Sequence, residues 1–178
     1  MPEDDKGSFL QKQIKEKPNI EDVIPEYLDG DMRKPALDFV TWLRENKMPP
    51  TFAGITNAWR YSCKGKCLYY IRLSVTYRRE PKKWVVNPHL FNIAKYEDVI
   101  KKEGLSEFLW DNVHHCQRCF PEKYPEGRPC VPGRNITLLG KEVREVCSGR
   151  QPLWFHEPGG PAIECIKRLL ELERAARN

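Results

Sequence analysis

Three cysteines and two histidines fall within HHCQRCFPEKYPEGRPC, residues 114–130 of a 178-residue chain. Thiolate and imidazole are ligands that zinc selects, and a closed tetrahedral site takes four of them at about 2.0–2.3 Å. Cys116 and Cys119 form a Cys-x-x-Cys pair, a spacing that lets two thiolates and nearby amides converge on one point. Cys130 follows in a segment punctuated by Pro121, Pro125, Gly127, Pro129, Pro132 and Gly133. Such a loop has little apolar material to fix it, so a metal is a natural staple. Cys147 completes an all-thiolate structural zinc site, with His114 or His115 as the alternative fourth ligand. Metal-free buried thiols are the main competitor and a disulfide comes third. An open catalytic zinc would keep a water position with a carboxylate or histidine nearby, and only the two histidines point that way.

Three further groups carry chemistry. Cys63 and Cys67 flank the turn residues KGK, where Lys64 and Lys66 would lower a thiol pKa, although packing is the commoner use of such cysteines. Cys165 sits on the apolar side of the last helix as a small core residue. Between 58 and 83, aromatic and basic residues interleave: Arg60, Lys64, Lys66, Arg72, Arg78 and Arg79 stand among Trp59, Tyr61, Tyr69, Tyr70 and Tyr77. Binders of single-stranded nucleic acid use such a sheet, stacking bases on rings and phosphates on cations. The plain alternative is a strand with one core face and one solvated face. Finally, Trp59, Tyr61, Trp84, His89 and Trp154 form a candidate small-molecule pocket between the sheet and its helices. There is no G-x-S-x-G, Walker loop, dinucleotide fingerprint or H-E-x-x-H, which argues against the commoner enzyme classes.

The elements that must position these groups are legible from periodicity. Residues 1–31 carry four lysines against nine acidic residues and read as an acidic arm with a helical turn in NIEDVIPEYL. A single domain is expected over 32–178, with the zinc-binding segment at 114–147. It opens with a helix in DMRKPALDFVTWLRENK, whose stripe is Leu37, Val40 and Leu43, widened by Phe39 and Trp42. NAWRYSC and CLYYIRLSV are strands around a three-residue loop containing Gly65, and KKWVVNPHLF is a third strand. Two short helices break at Gly104, and NITLLGKEVREVC is a hairpin turning at Gly140-Lys141. QPLWFHE is a further strand, and GGPAIECIKRLLELERAARN is an amphipathic helix with Glu164, Glu171 and Glu173 on its solvated side. Helices and strands do not alternate as βαβ units. The expected fold class is therefore α+β: a mostly antiparallel twisted sheet with helices on one face and a cysteine-rich loop.

The order of a helix, then WRYSCKGKCLYYIRL, then WVVNPHL, then helices resembles the small YdhG-type, frataxin-like domains of bacteria over residues 32–110. The resemblance implies an antiparallel sheet and carries no active-site residues across. No run is apolar enough to span a membrane, and the acidic N-terminus lacks a signal peptide's apolar stretch, so a reducing cytoplasm is the expected setting. The expected function is binding of a protein or small ligand by a soluble, zinc-stabilised domain. A nucleic-acid-associated protein is the alternative, and a thiol or zinc enzyme the second.

Overall fold

The computed structural model describes residues 3–77, 80–116, 133–147 and 152–177. Three helices come first: α1 (Glu3–Glu16), α2 (Ile20–Tyr27) and α3 (Gly30–Glu45). In α2 the apolar residues recur at helical spacing, and Ile20, Val23, Ile24 and the following Leu28 are all buried. Full burial of each such side chain is worth roughly 1.5–3 kcal/mol. These apolar residues of the acidic arm thus belong to the main hydrophobic core. Helix α3 buries Ala36, Phe39, Val40 and Leu43, while Leu37 and Trp42 are only partly covered. Its stripe is turned toward Phe39 relative to the expected one. Salt links hold the arm down: Arg44 of α3 clasps Glu21 of α2, and Lys83 Nζ lies 2.7 Å from Asp29 Oδ1.

The main sheet has strands β1 (Thr51–Phe52), β2 (Ala58–Cys63), β3 (Lys66–Tyr77) and β4 (Glu80–Pro88), all antiparallel. Cys63 pairs with Lys66, so the β2–β3 turn has two central residues rather than three. Lys64 (φ 50°) and Gly65 (φ 74°) are both left-handed, the backbone that matches the twist of a tight hairpin. Cross-strand partners share a face. The register Trp59–Ile71–Val86, Tyr61–Tyr69–Pro88 and Leu73–Trp84 therefore defines one face. That face meets the helices, because Trp59 Nε1 donates to Pro18 O and Tyr69 Oη donates to Met48 O at the α3 exit.

A short 3₁₀ turn (Ile93–Lys95) and helices α4 (Glu97–Lys102) and α5 (Ser106–Asp111) lead away from β4. The hairpin β5 (Arg134–Leu138) and β6 (Lys141–Val146) turns at Leu139 and Gly140, one residue before the expected pair, with both again at positive φ. Strand β7 (Phe155–His156) returns to pair with β4, giving the order β1-β2-β3-β4-β7. The chain closes with α6 (Gly160–Ala176), whose Ile163, Cys165, Ile166, Leu169 and Leu170 face the core. Glu173 departs from the expected solvated face: it is fully buried. Its place follows from spacing, since 166, 169, 170 and 173 lie on one side of a helix. Among the described residues no helix is long and apolar enough to cross a membrane.

Candidate metal centre and binding face

Residues 113–116 join the two sheets. Val113 bridges Leu153, just before β7, and His115 bridges Val146, the last residue of β6. Backbone hydrogen bonds run both ways from this joint: His114 N to Pro152 O and Trp154 N to Asn112 O on one side, Cys147 N to His114 O (3.0 Å) and Cys116 N to Glu145 O on the other. Cys116 and Cys147, thirty-one positions apart in sequence, are thereby held on adjacent backbone segments.

Gly133 closes the same corner. A Cβ built on it would lie 2.7 Å from Cys116 Cβ and 2.9 Å from the Glu145 backbone, an approach that only glycine permits. Cys119 and Cys130 lie outside the described residues, as do Arg78 and Arg79. Among the described residues no three His, Cys, Asp or Glu side chains converge as a metal site. His115 Nδ1 lies 3.0 Å from Arg144 O. A ring nitrogen facing a carbonyl oxygen donates to it, and a histidine ligand commonly holds its ring by such a bond while the other nitrogen meets the metal. His114 is buried and its ring lies 4.5 Å from that of Trp154.

The second face of the main sheet carries different chemistry. The same register places Arg60 beside Tyr70 and Asn87, and Arg72 beside Val85 and His156. His89 N donates to Leu68 O, which puts His89 next in the row. Arg60 Nη1 donates to Tyr70 Oη at 3.3 Å, and the rings of Tyr70 and His89 lie 5.5 Å apart. Trp154 and His156, at 6.0 Å, extend the aromatic series toward the joint. Asn87 Nδ2 donates to Leu153 O, pinning β4 to the strand that carries Trp154. Burial, then the nearby Arg177 charge, pushes the His89 pKa down to about 4, so the ring is neutral near pH 7. Its Nε2 has no hydrogen-bond partner among the described residues.

The five residues grouped as a pocket are divided by the sheet. Trp59, Tyr61 and Trp84 are on the helix-covered face, with Trp59 and Trp84 sealed in the core, whereas His89 and Trp154 belong to the second face. Of the basic set, Arg60 and Arg72 share the second face, while Lys64 and Lys66 stand at the exposed β2–β3 turn. Cys63 and Cys67 are not directly opposed, because Cys67 pairs with Ser62. Burial raises the Cys67 thiol pKa, with Arg60 opposing, which is the reverse of an activated thiol.

One constellation escaped sequence reasoning. The buried Glu173 carboxylate accepts from Tyr96 Oη (2.7 Å), Asn92 N (3.0 Å), Asn92 Nδ2 (2.9 Å) and Arg177 Nε (2.8 Å). Arg177 in turn donates to the carbonyls of Lys66, Cys67 and His89. This clamp ties the end of α6 to the hairpin turn and to the row containing His89. The signal for it was a glutamate on the apolar stripe with an arginine four residues later.

Fold and site together define an α+β domain with one helix-covered sheet face and a second face that carries Arg60, Tyr70 and Arg72 beside the buried Leu68, Val85 and Asn87. No family model matches the chain, and no curated protein or solved structure matches it either.

Proposed function

We propose that this chain is a ligand-binding domain, stapled by one structural zinc ion, whose second sheet face receives an anionic ligand bearing flat rings. The observation that carries the binding part is the end of the second face where exposed Arg60, partly buried Tyr70 and exposed Phe91 line up around the buried Asn87 and His89, opposite a face already filled by helices. Guanidinium groups recognise carboxylates and phosphates, and the rings offer stacking surface. The zinc part draws its support from the convergence of Cys116, Cys147 and Gly133, which brings both ends of the cysteine-rich segment to one corner. The ligands would be Cys116, Cys119, Cys130 and Cys147, with His115 as the replacement for a thiolate.

Native mass spectrometry of the freshly purified protein tests the metal: one zinc per chain is expected. Cys147→Ser should lose that zinc and lower the melting temperature by on the order of 10 °C, since a closed thiolate site is linked to folding. Full retention of metal and melting point by this variant would refute the centre.

A further inference from the structure

We propose that the ligand of the second face is single-stranded nucleic acid, held where the row runs off the end of the sheet onto Phe91. The proposal rests on the reading of this face as the binding surface and names its ligand class.

Four contacts form a continuous series. Arg60 bonds Tyr70 at 3.3 Å, Tyr70 meets His89 at 5.5 Å, and His89 meets Phe91 edge-on at 5.9 Å. The Arg177 guanidinium then lies 5.7 Å from the Phe91 ring. Phe91 is 55% exposed, the most exposed large hydrophobic side chain among the described residues. Burial therefore does not explain its position, whereas stacking does. One side of its ring is backed by a cation whose own donors are engaged by carbonyls and Glu173, so the platform is rigid. Tyr70, partly buried on the same row, is a second platform, and the neutral His89 ring spaces the two.

The charges around this strip suit a phosphate backbone. Lys64 and Lys66 project at the turn whose carbonyl Arg177 holds, and Lys95 donates to Ala176 O beside it. Arg60 and Lys66 are exposed and make no ion pair among the described residues. Glu173, at this end, is buried and matched by Arg177. Two separated ring faces flanked by cations read bases without hydrogen-bond specificity, as sequence-tolerant single-strand binders do. An acidic peptide would use the same cations but would have no need of Phe91.

The test is fluorescence anisotropy of the full chain with a labelled oligothymidine of about ten nucleotides. Binding should weaken steeply with salt, and a duplex of equal length should bind less well. Phe91→Ala should weaken binding by about five- to a hundredfold with unchanged circular dichroism. Arg60→Ala should also flatten the salt slope by about 0.7, the share of one single-strand phosphate. Equal affinity for Phe91→Ala, or equal binding of duplex, overturns the assignment. Anilinonaphthalene sulfonate separates the two levels of the argument. If it binds in an Arg60-dependent way while the oligonucleotide does not, the nucleic-acid assignment fails and the binding face stands. If neither probe binds, both fail.

Discussion

At Glu173 the opposing effects on a buried charge are visible in one side chain. Burial alone would push its pKa up, but hydrogen bonds from Tyr96, Arg177 and Asn92 outweigh it and hold the carboxyl below the usual range. A carboxyl with a depressed native pKa stabilises the fold above its unfolded pKa of about 4.3, and that contribution is lost as pH falls through the native value. Glu173→Gln leaves Arg177 buried without a counter-charge and should cost roughly 3–5 kcal/mol. Urea unfolding should show a wide gap between variant and parent at pH 7 that narrows below about pH 4. A gap independent of pH would mean the carboxylate charge does not matter. His89 acts in a higher window. Its native pKa of about 4 lies below the unfolded value of about 6.5, so acid stabilises the unfolded chain first. Stability should therefore fall from about pH 6.5 toward pH 4, and His89→Gln should flatten that slope. An unchanged slope in the variant would assign the loss to other groups.

At the scale of elements, α1 is the least expected piece of the fold. Its sequence is mostly polar, and the one buried residue among its described side chains is Gln13. Gln13 Nε2 donates to Asn57 Oδ1 at 2.7 Å, and its Oε1 accepts from Asn57 N at 3.0 Å. Gln13→Ala strands two buried polar groups and should cost about 2 kcal/mol. For a chain of this size that corresponds to a drop of about 4–8 °C in melting temperature, readable by calorimetry. No change would mean that α1 does not dock. Apolar periodicity betrayed α2, α3, α6 and the strands, because their burial is built from side chains spaced at 3.6 or 2. It could not announce α1, anchored by one amide pair forty-four residues away, nor β1, only two residues long, whereas β7 falls within the expected QPLWFHE strand. The partition of the tryptophans was equally hidden. Trp59, Trp84 and Trp154 look alike in composition, and only the register decides which side of the sheet each occupies. Of the metal set, the Cys-x-x-Cys spacing was legible locally. The pairing of Cys116 with the Cys147 strand is a tertiary fact.

Across the whole molecule, the C-terminal hairpin and the main sheet share structure through residues 113–116 rather than through side-chain packing alone. Native-state hydrogen exchange should report this. The amides of His114, Trp154 and Cys147, bonded in 2.6–3.0 Å contacts on either side of the joint, should exchange with a common opening energy. Separate opening energies for Trp154 and Cys147 would show two independent units. The joint also has an outcome for heredity. A substitution in the hairpin that loosened its hold on His114 and Cys116 would slacken the margin of the sheet beside His156, so defects arising at one end of this protein should be felt as altered grip at the other.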